Sequence, residues 1–128
     1  MSGDVLSLPE QLGFAPGMRY ALQALPDAVT PLFAVLPDGM QLASTELDIA
    51  VLFVSDSAML TERWADLAPM LQPTTRVWLC RPKPGVLRCD LDETRMAEMM
   101  AARGFEPQEQ LVVDAVWTAL RVTPVGRA

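Results

Sequence analysis

The stretch LDIAVLFV, residues 47–54, decides the fold. From Ile49 onward every residue is apolar, so both faces of an extended chain here carry hydrocarbon. The run is too short for a typical helix, and Ile49, Val51 and Val54 favour extended backbone. A strand apolar on both faces needs cover on both faces, which is the condition of a central parallel strand between helical layers. A second such run, RVWLC at 76–80, continues to Arg81 and stops at Pro82. Between the two, Asp56 or Ser57 suits a helix start, and Leu60, Trp64, Leu67, Ala68 and Leu71 follow at helical spacing.

Working outward, Ser7-Leu8-Pro9-Glu10 has the form of a capping box, which predicts a helical turn over 8–12 ended by Gly13. Ala15-Pro16-Gly17 is a turn, and Met18 to Ala24 reads as a strand. Residues 27–36 read as a helix starting at Asp27, with Pro31 suited only to its first turn. Met40 to Ala43 is a short extended piece after Pro37-Asp38-Gly39. Asp90-Leu91-Asp92-Glu93 opens a third helix bearing Met96, Met99 and Met100 on one face, ended by Gly104. Two strands close the chain, near Gln110–Val116 and Thr118–Thr123, and their proximity requires an antiparallel hairpin. The expected architecture is α/β, a mostly parallel sheet with a C-terminal antiparallel hairpin and helices on both faces. Residues 44–46 are too few for a helix, so a regular crossover does not fit before the strand at 47.

At 128 residues the chain is expected to form one domain over 1–128, with 1–17 as an N-terminal capping segment. Hydrophobic residues make up 51%, but no apolar run approaches the ~20 residues that span a bilayer. The first residues lack the pattern of a secretory signal, so a cytoplasmic protein with Cys80 and Cys89 reduced is expected. Ten basic residues oppose sixteen acidic ones, a net charge of -6, which argues against nucleic acid as a partner. There is no histidine. That removes Ser-His-Asp and Cys-His catalysis and the commonest transition-metal ligand, so no metal is expected.

Three places resemble class I S-adenosylmethionine-dependent methyltransferases. Leu47-Asp48-Ile49-Ala50-Val51 is similar to a core strand of that family. Leu71-Gln72-Pro73-Thr74-Thr75-Arg76-Val77 resembles the element before its next strand, with threonines in place of two glycines. Gly104-Phe105 resembles the approach to its final hairpin. A small bacterial family of methyltransferase-like proteins resembles the chain more fully. The shared pattern runs through Leu12-Gly13-Phe14-Ala15-Pro16-Gly17, Asp48–Val54, Val77–Lys83, Asp90–Glu93, and Asp114 with Trp117, Leu120 and Arg121. The resemblance implies a truncated methyltransferase-like Rossmann domain, with one helix and one strand missing from its first half. In active relatives an acidic-x-Gly-x-Gly turn closes around the cofactor. Here the turn is Leu22-Gln23-Ala24-Leu25-Pro26-Asp27-Ala28, without glycine, and Gln41-Leu42-Ala43 replaces the ribose-binding acidic residue, with Glu46 a distant substitute. On that ground no cofactor is expected, S-adenosylmethionine included. The expected role is a non-catalytic or regulatory binding module, with a small methyltransferase of unusual cofactor pocket, or a structural subunit, as alternatives.

Candidate ligand residues follow from the rule that open α/β sheets bind ligands at the carboxyl ends of their strands. Arg76, Arg81, Lys83 and Arg88 gather four of the ten basic residues at or after the second buried strand. Lys83, between two prolines, is the best anchor for a small anion, although the same charges also fit a solvated rim. Asp56 lies at the end of the neighbouring strand, where helix capping is the competing role. Asp114 and Trp117 bracket the closing hairpin, and Trp117 suits the core better than a ligand contact. No catalytic residue is assigned. Expected partners are a small anionic ligand and a protein partner or second copy, with no membrane.

Overall fold

The computed structural model describes residues 7–83, 85 and 89–125. Arg88, one of the basic cluster, lies outside the described residues. Six strands form one sheet: β1 (Arg19–Gln23), β2 (Gln41–Leu42), β3 (Leu47–Phe53), β4 (Leu71–Pro82), β5 (Phe105–Val112) and β6 (Trp117–Pro124). Their spatial order is β2-β1-β3-β4-β6-β5. β2, β1, β3 and β4 run parallel, with Ile49 opposite Arg76 and Phe53 opposite Cys80. β6 is antiparallel to β4, and β5 to β6.

The two-sided apolar run at 47–54 becomes the sheet's centre, and Ile49 through Val54 are fully buried. One face of the sheet packs against α2 (Ser57–Leu67), through Leu60, Trp64 and Leu67, and α3 (Glu93–Ala101), through Met96 and Met100. The other face is covered by α1 (Leu8–Leu12) and by a 3₁₀ segment, Asp27–Phe33, through Leu12, Val29 and Phe33. Aromatic edges reinforce that side: Phe53 meets Phe33 at 6.4 Å and Trp117 at 5.3 Å, both edge-on. Such pairs add about 0.5–1.5 kcal/mol beyond area burial.

Three boundaries differ from expectation. The helix expected at 27–36 is a 3₁₀ segment ending at Phe33, because Pro31 inside it has no amide to donate. β4 begins at Leu71 rather than Arg76. The first closing strand spans Phe105–Val112 rather than Gln110–Val116. It is an edge strand, so the polar run Glu106–Gln110 stays largely exposed and carries no apolar alternation to read.

The link from β2 to β3 is four residues long and passes from one side of β1 to the other. β1 itself holds the crossing. The Arg19 guanidinium donates to the Thr45 carbonyl from Nη2 at 2.9 Å and Nε at 3.2 Å, and its amide donates to Asp48 Oδ2 at 2.8 Å. Glu46 takes a left-handed conformation, φ 51°, to turn the chain into β3. A hydrogen-bonded loop thus does what a crossover helix does elsewhere.

α1 is anchored to the sheet centre by one side chain. Trp78 Nε1 donates to the Leu12 carbonyl at 2.7 Å, in a buried contact that satisfies an orphan acceptor of the helix end. Trp78→Phe keeps most of the packing and leaves that carbonyl without its donor. We expect a loss of about 1–3 kcal/mol, read as a lower urea midpoint with an unchanged slope. An unchanged midpoint would show that α1 docks by apolar contact alone.

Candidate functional site

The carboxyl ends of β1, β3 and β4 lie along one rim of the sheet, where ligands of open α/β sheets bind. β1 ends at Gln23, and Ala24 immediately after it has φ 58°. Only Ala24 and Glu46 take positive φ among the described non-glycine residues. A Cβ in this region costs roughly 1–2 kcal/mol, so the fold imposes the turn rather than the residue choosing it. An alanine here takes a left-handed conformation that glycine more commonly adopts.

Because a four-residue link replaces a helix, part of β1 is left without helical cover. A concavity of about 410 Å³ lies there, walled by Ala21, Leu22, Leu42, Ala43 and Met70, with Gln23 and Ser44 as its polar groups. Its size falls within the roughly 300–1,000 Å³ of small-molecule sites. It reaches Gln23, next to the Ala24 turn.

The residues singled out from sequence are distributed along the rim in different roles. Asp56 is the N-cap of α2, and its Oδ1 accepts from the Met59 amide at 2.8 Å. Asp114 Oδ1 accepts from the amides of Val116 and Trp117, each at 2.8 Å, which shapes the β5–β6 turn. Trp117 is 8% exposed and stacks edge-on with Phe53 in the core. Arg81 is 5% exposed, not part of a solvated rim, because β4 runs on to Pro82 with Arg81 opposite Thr118 of β6. Lys83 is half-buried, its amide donates to the Val116 carbonyl at 2.6 Å, and its amine has no hydrogen-bond partner among the described residues. Arg76 stands at the other end of β4, opposite Ile49.

Sequence reading missed Asp90, which appeared to belong to the start of α3. Asp92 caps that helix, accepting from the Arg95 amide at 2.7 Å. Asp90 reaches instead to the start of α2, accepting from the Ser57 amide at 2.8 Å and from the Ser57 hydroxyl. No local spacing signals a contact between residues so far apart in sequence. Both cysteines are free, and burial pushes the Cys80 thiol up, away from reactivity. Among the described residues no cluster of three or more acidic or cysteine side chains is arranged to hold a metal. No described helix is long and apolar enough to cross a membrane.

No protein-family model and no curated protein matches the sequence. Solved structures do. A SAM-dependent methyltransferase from Aquifex aeolicus aligns with TM-score 0.59 and 7% identity, over 91% of this chain and 87% of that one. The fold is that of a truncated class I methyltransferase. Magnesium protoporphyrin IX methyltransferase (ChlM) from Synechocystis PCC 6803, with bound SAH, aligns at 0.56 with 12% identity, over 85% of this chain and 74% of that one. LepI in complex with SAM aligns at 0.54 with 18% identity over 91% of this chain, which spans only 39% of LepI. The expectation that no cofactor belongs with this fold is therefore corrected, since neighbours sharing it hold SAM or SAH. The expectation rested on the absence of glycine from residues 22–28, yet one residue there, Ala24, takes a positive φ of 58°.

Hydrogen bonds from the Ser57 hydroxyl and amide, aided by Arg95, hold the exposed Asp90 carboxyl below its ordinary value. A depressed carboxyl adds stability that is complete above its unfolded value and is lost as pH falls through the folded one. Asp90→Asn should therefore destabilise the protein near neutral pH and flatten the acid limb of its stability profile. Parallel acid limbs for the two proteins would remove Asp90 from that role.

Proposed function

We propose that the protein binds S-adenosylmethionine at the carboxyl ends of β1 and β2 and acts as a small methyltransferase with an unusual cofactor pocket. The observation that carries this reading is the left-handed Ala24 directly after β1. A strained backbone held by its surroundings at the place of the cofactor turn points to retained use. The residues present fit the group. The apolar wall of Leu22, Leu42 and Met70 suits an adenosyl moiety, and the Gln23 amide and Ser44 hydroxyl offer donors and acceptors for a ribose. S-adenosylmethionine, when bound, supplies an electrophilic methyl group.

The chain's own part is to bind, orient and exclude water, which places this chemistry within reach of a protein without histidine. Lys83, directly after the end of β4, would meet an acceptor substrate bearing an anionic group, whereas Arg81 is buried. This reading displaces the non-catalytic module, which rested on the missing glycines and on the lack of histidine. The likeness to methyltransferases supports it at the level of fold.

Calorimetric titration with S-adenosylhomocysteine tests it through two variants. The wild type should bind saturably, and Ala24→Gly should bind equally well while gaining about 0.5–1 kcal/mol of stability from relief of the turn. Ala24→Val, whose branched side chain resists positive φ, should weaken binding at least about tenfold. Absence of saturable heat, or affinity indifferent to Ala24→Val in a folded protein, would overturn the proposal.

A further inference from the structure

The end of the sheet opposite the cofactor crevice holds a second cavity, of about 210 Å³, where Arg76, Arg121, Thr74 and Thr123 converge between Pro73 and Pro124. We propose that this cavity is a binding site for a phosphate group.

Charge carries the argument. Arg121 Nε donates to Glu109 Oε1 at 2.7 Å, and Arg76 makes no hydrogen bond or ion pair among the described residues. Burial works to raise the Glu109 carboxyl, but hydrogen bonds and the charges of Arg121 and Arg76 hold it below its ordinary value. Two guanidinium groups therefore act on one carboxylate, and only Arg121 is ion-paired with it, which leaves Arg76 without an ion-pair partner among the described residues. This happens in a chain of net charge -6.

Geometry adds to charge. Arg121 pairs with Trp78 across the β4–β6 ladder and so shares the α1 side of the sheet. Arg76 lies against the C-cap of α1: a Cβ placed on Gly13 would come within 2.9 Å of Arg76 Cδ and Nε. Gly13, at φ 106°, is thus required both by the helix end and by the arginine beside it. That contact orders the arginine stem and lowers the entropy lost when its fork engages a ligand.

The ligand class follows from the donors. A tetrahedral oxyanion can accept from the Arg76 fork, from N–H groups of Arg121 that Glu109 leaves free, and from the Thr74 hydroxyl, which has no partner among the described residues. The cavity is smaller than the roughly 300 Å³ at which whole drug-sized ligands begin to fit, so it takes a group rather than a cofactor.

Isothermal titration with inorganic phosphate and with glycerol phosphate tests the site. Saturable binding of either probe at about millimolar affinity or tighter is expected. Arg76→Ala should weaken it at least about tenfold with the melting temperature unchanged, since Arg76 is exposed. Glu109→Gln, which removes the competing carboxylate, should tighten it about threefold or more. Stronger binding of the monoester assigns the phosphate to a larger molecule, and equal binding assigns it to the free ion. Failure of both probes to saturate, or affinity unmoved by Arg76→Ala, overturns the proposal.

Discussion

The structure depends on one constraint: the parallel pair β3–β4 is apolar on both faces and must be covered on both. Neither strand is stable exposed, and each face needs its own layer. α2 and α3 supply one layer, while α1 and the 3₁₀ segment supply the other. The second layer is the thinner, built from a five-residue helix and a seven-residue 3₁₀ segment. Side chains compensate for its small size. Trp78 fixes α1 by its indole N–H, and a chain of aromatic contacts links Phe14, Phe33, Phe53 and Trp117 across the same face.

The shortened first half of the fold has a direct structural cost and a direct consequence. Without a crossover helix, the chain passes β1 in four residues, and Arg19 holds the passage with two bonds to one carbonyl. The same economy uncovers part of β1 and opens the concavity next to Ala24. The neighbouring rim is stitched by carboxylates: Asp56 and Asp90 both serve the start of α2, and Asp114 shapes the closing turn. These acids are spent on local architecture, which leaves Lys83 as the rim cation whose side chain is uncommitted among the described residues.

The central strands and the two covering layers were legible because burial writes itself into hydropathy, whereas the spatial order of the strands was not. Leu47–Val54 and Val77–Cys80 announce central strands, and Met96 and Met100 mark the covered side of α3. β5 was placed about five residues too late in the chain, because an edge strand can be polar throughout its middle. The site was less legible for two reasons. Backbone conformation does not appear in composition, so the glycine-free segment 22–28 gave no sign that Ala24 takes a positive φ. Contacts between distant residues follow only from topology, so neither the Asp90–Ser57 lock nor the pairing of Arg76 with Arg121 at one cavity could be read from spacing. Burial of Arg81 is of the same kind, since it follows from β6 flanking β4 up to Pro82.

The most direct measurement is a crystal structure of the protein grown with S-adenosylhomocysteine. The account predicts the ligand beside the carboxyl ends of β1 and β2, in contact with the Ala24 turn and with Gln23 or Ser44, and Ala24 still at positive φ. A ligand-free rim at saturating concentration, or a ligand bound elsewhere on the sheet, would contradict it.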